Sequence, residues 1–197
     1  MPVTINGDGS ITGLSVGGLG SGVVNTETLA DGAVTADKST GSAKGIMVVD
    51  QWYLTSSVTS TQDITSGFSR VPLTGAASPL GTGMSESSGV FTFPSTGKWM
   101  VIAKAKFSIH DSDSCLLQTK VTTNNSSYSV VCSCNEGLND SGGGNRDAGS
   151  SSFYFLDVTD VSQVKVMFRT ESISPGSVLR GEATADTSFI FIRFGDT

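Results

Sequence analysis

The chain has 197 residues, of which 37% are apolar, and this suffices for one hydrophobic core with a small appendage. Its 24 glycines and its charged fraction of only 15% disfavour helices and favour short strands joined by turns. A net charge of −6 argues against a nucleic-acid partner, because such partners are bound mainly through lysine and arginine. The sequence holds neither a long apolar run nor a signal-like N-terminus, so membrane insertion and secretion are not expected.

Residues 1–45 differ in composition from residues 46–197, since every Phe, Trp and Tyr lies between Trp52 and Phe194. A segment this poor in large apolar side chains cannot fold alone, so it is a flexible linker, docks on a partner or winds around its own copies. A weak repeat of about ten residues favours the last two arrangements and would turn Val24 and Val34 toward the three-fold axis of a stalk. An anchoring segment would use the apolar residues Ile5, Ile11, Leu14, Val16 and Leu19.

From Met47 onward the pattern is that of β-strands. Between Val101 and Ile109, apolar residues alternate with polar ones, which is the period of a half-buried strand. Further strands are predicted near residues 47–55, 90–93, 115–123, 128–134, 151–158, 164–170 and 187–194. Turn residues separate them, and about eight strands at this spacing predict an all-β sandwich or barrel.

The last predicted strand, 189–194, is apolar on both faces, and residues 153–156 repeat this feature. One apolar face is enough for a sheet in a two-layer sandwich, so the second face must contact something else. Identical subunits around an axis are the simplest partner. The predicted trimer interface consists of Trp52, Phe153, Phe155, Phe189, Phe191 and Phe194.

Three cysteines are too few, and odd in number, for a disulfide framework, so they are predicted to be reduced thiols. A hairpin turning at Asn124 and Asn125 would place Cys115 opposite Cys134. A zinc site would need more ligands than these and His110, the only histidine.

His110, with its serine and aspartate neighbours, has the residue types of a catalytic triad. Adjacent residues of a strand point to opposite faces, however, so a relay cannot form and no enzymatic activity is expected. Asp111 and Asp113 are weak candidates for a calcium site, but a solvated turn is the favoured interpretation. The sequence therefore predicts no metal and no cofactor.

Residues 135–150 contain a run of glycines and are predicted to form a long exposed loop. Loops at the end of a rigid sandwich commonly carry binding sites, so this loop and residues 75–88 are the candidate contacts for a host cell-surface glycan or protein. The candidate residues of the loop at 135–150 are Asn135, Asn139, Asp140, Asn145 and Arg146. Trp52 and Trp99 have rings that stack on sugars in other proteins, but core or interface packing is favoured for both.

Residues Gly89, Phe91, Pro94, Gly97 and Trp99 follow the spacing G-x-F-x-x-P-x-x-G-x-[YW]. This stretch resembles the signature of the jelly-roll domain shared by the complement first-component globular head and the tumour necrosis factor superfamily. The chain end, 188–194, and the turn and strand at 157–166 are also similar to that family. The resemblance implies a ten-stranded jelly roll that packs as a homotrimer through the sheet holding its first and last strands. The Gly-X-Y stalk of the complement proteins is absent from the sequence.

The N-terminal stretch 7–14 and residues 50–54 resemble virion proteins of tailed bacteriophages. This resemblance implies a structural virion protein: a homotrimeric head fibre, capsid decoration or short fibre protein. Residues 1–45 would bind phage capsid or tail proteins, and the jelly-roll knob, 46–197, would be exposed on the virion for host adhesion. The alternative is a receptor-binding tail-fibre or tailspike module that recognises a host glycan. A sugar-cleaving tail enzyme would need a carboxylate pair, which the sequence does not locate.

Overall fold

The computed structural model describes residues 4–5, 7, 11–12, 45–71, 79–139, 142–182 and 185–197. The chain divides into two units, Met1–Ala43 and Lys44–Thr197. In the first unit, strands β1 (Thr4–Ile5) and β2 (Ile11–Thr12) pair antiparallel, with Ile5 opposite Ile11. The other predicted attachment and stalk residues lie outside the described residues: Leu14, Val16, Leu19, Val24 and Val34.

The described part of the second unit is built from strands. They are β3 (Val48–Leu54), β4 (Gln62–Asp63), β5 (Phe68–Arg70), β6 (Ser85–Ser87), β7 (Val90–Thr92), β8 (Gly97–His110), β9 (Ser114–Thr122), β10 (Ser129–Gly137), β11 (Asn145–Val158), β12 (Lys165–Glu171), β13 (Val178–Leu179) and β14 (Ser188–Gly195). Among the described residues of the chain, no helix has the length and apolarity needed to cross a membrane.

These strands form two antiparallel six-stranded sheets packed as a sandwich. The front sheet has the order β11-β8-β14-β3-β5, with β13 also paired to β8. The back sheet has the order β10-β9-β12-β7-β6, with β4 also paired to β12. The chain changes sheet repeatedly, from β8 to β9 and from β10 to β11, which is the double-sheet arrangement of a jelly roll.

The core lies between the two sheets because the strands alternate apolar and polar residues. In β8 the odd-numbered residues from Trp99 to Ile109 are buried, whereas most even-numbered residues point outward. Aromatic rings from both sheets meet at the centre, where Phe168 and Phe189 have ring centroids 4.1 Å apart. Burying each such side chain stabilises the fold by roughly 1.5–3 kcal/mol.

The sandwich has two distinct ends, which we call the base and the tip. The chain enters β3 at the base, where the Met47 N–H donates to the Arg193 carbonyl oxygen at 2.9 Å beside the start of β8. The tip, at the His110 end of β8, gathers the turns 111–113 and 172–177, together with residues 138–139 and 142–144. Because β8 has 14 residues, the two ends are roughly 40 Å apart at about 3.3 Å per residue.

The predicted long loop at 135–150 is wrong, because strands occupy most of it. β10 continues to Gly137, and β11 begins at Asn145, six residues before the predicted start. β11 pairs with β8 along its whole length, so that Asn145 lies opposite His110. Backbone pairing with a long neighbouring strand extends β11 through residues whose side chains carry no strand pattern.

The predicted pairing of Cys115 with Cys134 is also wrong. Cys115 lies opposite Glu136, and Cys134 lies opposite Leu117. The turn between β9 and β10 shifts the pairing by one residue, and a bulge between Val130 and Cys132 shifts it by one more. All three cysteines are free thiols, and Cys115 and Cys134 are buried.

Candidate functional site

The outward side of the front sheet carries two rows of apolar side chains that cross neighbouring strands. One row runs from Phe153 through Ile102 and Ile190 to Gln51, following the pairing of β11, β8, β14 and β3. The other row runs from Phe155 through Met100 and Ile192 to Val49. A backbone bridge then joins Val49 to Leu80. Residues paired across antiparallel strands share a face, so these side chains form one surface. We call it the apolar face: Val49, Gln51, Leu80, Met100, Ile102, Phe153, Phe155, Ile190, Ile192 and Phe194.

The aromatic side of the apolar face projects into solvent in the single chain. Phe153 is 67% exposed, Phe155 is 59% exposed, and Phe194 packs against Phe155 with ring centroids 5.9 Å apart. Two rows spanning four strands and the bridge to Leu80 cover on the order of 300 Å², at about 4.8 Å between strands and about 7 Å between rows. An apolar patch of this size matches the largest patch of a typical monomer, which often has a function.

Charged pairs border the apolar face along β8 and β11. At the base side, Lys98 forms an ion pair with Asp157. Toward the tip, Lys106 bonds Asp186 at 2.9 Å, and Arg180 reaches Asp147 at 3.3 Å. The hydrogen bond to Asp186 is the main cause of the raised pKa of Lys106. The face therefore has an apolar centre and a polar rim, the usual anatomy of a protein interface.

Three of the six predicted interface residues lie inside the subunit, and their assignment is wrong. Trp52 is only 8% exposed, and Phe189 and Phe191 are fully buried against rings of the back sheet. Both faces of β14 are apolar, but its odd-numbered phenylalanines face the core and its isoleucines face outward. The other three predicted residues, Phe153, Phe155 and Phe194, lie on the outward side.

The outward residues that sequence reasoning missed are Ile190, Ile192, Ile102, Met100 and Val49. For Ile190, Ile192 and Val49 the signal was present, since they occupy the alternate positions of β14 and β3, which carried predicted residues. Ile102 and Met100 lie on β8, between its buried odd-numbered residues.

Both tryptophans are inaccessible to a sugar. Trp99 is fully buried, and Trp52 donates its indole N–H to the buried carboxylate of Asp50 at 2.9 Å. Arg70 bonds the same carboxylate at 3.1 Å, and its guanidinium lies 4.6 Å from the Trp52 ring centre. The Met84 N–H also donates to Asp50 at 2.7 Å. This group fixes β3 to β5 and to the residues before β6.

The predicted ligand-loop residues are divided between two strands and the turn that joins them. Asn135 is exposed near the end of β10, Asn139 follows that strand, and Asp140 lies outside the described residues. Asn145 and Arg146 begin β11, where the Asn145 amide N–H₂ donates to the Gly176 carbonyl oxygen at 3.0 Å. They lie at the tip near a shallow recess lined by His110, Asp111, Ser112, Asp113, Ser174 and Pro175.

Asp111 and Asp113, the weak metal candidates, have separate partners. Asp111 lies 3.0 Å from Nδ1 of His110. Asp113 accepts hydrogen bonds from the Ser114 N–H at 2.8 Å and the Ser174 hydroxyl at 3.0 Å. Partial burial pushes the pKa of Asp113 upward, but these bonds and one from Ser177 outweigh it and lower the pKa. In the part of the chain that is described, no three metal-ligating side chains come together.

No protein-family model and no curated protein sequence matches the chain. Solved structures share its fold. Murine APRIL, in a crystal structure at pH 5.0, superposes with a TM-score of 0.56 at 8% identity, covering 74% of this chain and 98% of APRIL. Eiger TNF from S. frugiperda gives a TM-score of 0.54 at 12% identity, covering 78% of this chain and 95% of Eiger. The sandwich is therefore a jelly roll of the tumour necrosis factor type, as the signature at residues 89–99 predicted.

Proposed function

We propose that this chain is a non-enzymatic structural protein of a tailed-phage virion, which assembles as a homotrimer through its apolar face. Exposed phenylalanines at 153 and 155 are the observation that carries the proposal. Leaving such side chains in water forgoes roughly 1.5–3 kcal/mol each relative to full burial, so a binding partner is expected. The role on a particle, as a head fibre, capsid decoration or short fibre, follows from the phage resemblance of residues 7–14 and 50–54.

A second copy of the chain fits the apolar face because the face has two unlike halves. Phe153 and Phe155 project from β11 at one edge of the sheet, whereas Ile190, Ile192 and Val49 form a lower aliphatic floor on β14 and β3. Aromatic side chains of one copy can rest on the floor of the next, which makes a head-to-tail contact that closes into a ring. The ion pairs of the rim are internally neutralised, so no strongly charged partner is called for.

The positions of base and tip support the virion role. The described chain enters the sandwich at the base, which is the end farthest from the tip. The tip carries polar, exposed residues around its recess. Many copies on one particle would multiply a weak affinity of each tip for the host.

A receptor-binding module is the second candidate, and the tip recess beside His110 and Asn145 favours it. Glycan-array binding by the purified chain, abolished by Asn145→Ala and kept by Gln118→Ala on the back sheet, would promote this function to the main one. An array without any signal would demote this candidate function.

Labelling of purified phage particles with antibodies against residues 46–197 tests the virion role. Electron micrographs are expected to show label on the head or the tail, with each spot at a regular position. Particles that carry no label, from lysates that contain the protein, would contradict it.

A further inference from the structure

Gln51 is the one polar residue within the apolar face, among the residues described. It lies on β3 in the same cross-strand row as Ile190, Ile102 and Phe153 and is half-buried. Its backbone carbonyl accepts from the Val71 N–H at 3.2 Å. Its side-chain amide has no hydrogen-bond partner among the described residues. If the face is covered by another molecule, this amide loses water, and an unpaired buried amide costs about 1–3 kcal/mol.

A second set of polar groups lacks partners at the opposite edge of the same sheet. β11 is the terminal strand of the front sheet and pairs with β8 from Asn145 to Val158 without a bulge. Within the described residues, no backbone hydrogen bond is made on its other edge. A long, regular strand edge of this kind is a template for contact with another chain.

We propose that the Gln51 amide of one copy hydrogen-bonds the free backbone edge of β11 in the next copy and thereby sets the register of the trimer. This inference rests on the proposed self-association. In a head-to-tail ring, β11 of one copy lies on the floor formed by β14 and β3 of the next. In the proposed ring the strands run along the axis, and rotation about that axis involves no shift along it, so the Phe153 level of one copy meets the Gln51 level of its neighbour.

The pairing satisfies both unmatched sets of polar groups at once. The amide offers a donor and an acceptor, and so does every second residue of an edge strand, whose N–H and C=O both point away from the neighbouring strand. A slip of one residue along β11 would place the amide opposite a residue whose N–H and C=O already pair with β8, and a slip of two residues would move Phe153 and Phe155 along the aliphatic floor. A single buried polar side chain sets register and copy number in the same way in coiled coils, at some cost in stability.

The first test replaces Gln51 with leucine. Gln51→Leu extends the apolar floor, so the chains still associate, but more than one register and copy number become accessible. Native mass spectrometry is expected to show one trimeric species for the wild type and at least two oligomeric species for the variant. Gln118→Leu is the matched control, because Gln118 is half-buried on the outward side of β9 in the back sheet. This control is expected to remain a single trimer.

A second variant tests the same residue by charge. Gln51→Glu places a carboxylate in the interface and removes the donor, so the trimer is expected to dissociate at neutral pH. Burial without a cation raises the pKa of a carboxyl group, so association returns on acidification at a pH above the ordinary value of about 4.3. Gln118→Glu should show no such pH dependence.

A disulfide test measures the contact directly. Gln51 and Phe153 lie three strands apart in one chain, about 14 Å at ~4.8 Å per strand, which is too far for a disulfide within the subunit. The variant with Gln51→Cys and Phe153→Cys is expected to form covalent dimers and trimers on mild oxidation, whereas Gln118→Cys with Phe153→Cys forms none.

The outcomes distinguish the proposed role of Gln51 from the proposed self-association on which it rests. A wild-type chain that stays single overturns both. A trimeric wild type, together with a Gln51→Leu variant that is also one trimer and a double-cysteine variant that does not cross-link, overturns only the role of Gln51.

Discussion

The outward faces of the two sheets differ, although both sheets belong to one sandwich and contain six strands each. On the back sheet, Asp63 bonds Lys120 at 2.9 Å and lies 3.6 Å from Arg169, which also bonds Glu171 at 3.0 Å. On the front sheet, the corresponding surface is the apolar face. The back sheet is suited to water and the front sheet to a protein partner. A sandwich needs apolar residues only between its sheets, so the outer apolar surface of the front sheet is the part of the molecule that the proposed contact between copies would cover.

The largest expected effect is a difference in unfolding free energy between variants on the inward and the outward side of the front sheet. Phe189→Ala opens a cavity against Phe168 and should lower the free energy of unfolding by about 3–5 kcal/mol. Phe153→Ala removes an exposed ring and should change it by less than about 1 kcal/mol when the chains are separate. Urea denaturation at low protein concentration measures both. Equal losses for the two variants would mean that Phe153 also belongs to the core.

The second prediction compares the two sheets in association. Phe155→Asp puts a charge on the aromatic side of the apolar face and is expected to weaken assembly at least ~100-fold, which corresponds to about 3 kcal/mol. Val130→Asp is the matched control, since Val130 is 50% exposed but lies on β10, away from the apolar face. Sedimentation velocity should show separate chains for the first variant and an unchanged assembly for the second. If Val130→Asp dissociates the chains, the interface lies elsewhere.

The third prediction concerns the charged ladder of the back sheet. Asp63→Ala leaves Lys120, whose side chain is 15% exposed, and Arg169 without their shared carboxylate. Stability should fall by about 0.5–1.5 kcal/mol, because these are partly exposed pairs, and less in 1 M salt. Association should be unchanged. A stability loss that persists in high salt would show that packing, rather than charge, holds these strands.

The smallest effect tests whether the space between the sheets is closed. Burial is the main cause that raises the pKa of Cys115 to about 11, and it also raises the pKa of Cys134. Both thiols should therefore stay protonated and resist alkylation at pH 8, whereas the half-buried Cys132 reacts first. Mass spectrometry of the alkylated folded chain counts the modified sites. Rapid modification of Cys115 would indicate an open edge near the tip.

The sandwich itself was predictable from sequence, because alternation in β8 and the signature at 89–99 report local geometry. The extent of β11 was not, since Asn145 to Ser150 lack a strand pattern and are extended by pairing with β8. The register of Cys115 and Cys134 depended on a bulge that has no residue signature.

The sequence predicted three of the six interface residues on the correct side of the front sheet. The pattern of β14 indicated two apolar surfaces, but the alternation of residues along the strand does not show which surface faces the core. Phe189 and Phe191 face inward because rings of the back sheet, such as Phe168, lie opposite them. That arrangement arises from packing between distant segments. Gln51 could not be singled out, because its place among isoleucines depends on the pairing of β3 with β14.

Sedimentation equilibrium of the full chain tests the central claim that another copy covers the apolar face. The expected molar mass is three times that of the 20.3 kDa chain, with Phe155→Asp returning it to a single chain that is still folded. A wild-type protein that is folded and sediments as one chain across the accessible concentrations would contradict the account, because Phe153 and Phe155 would then face water in the native state.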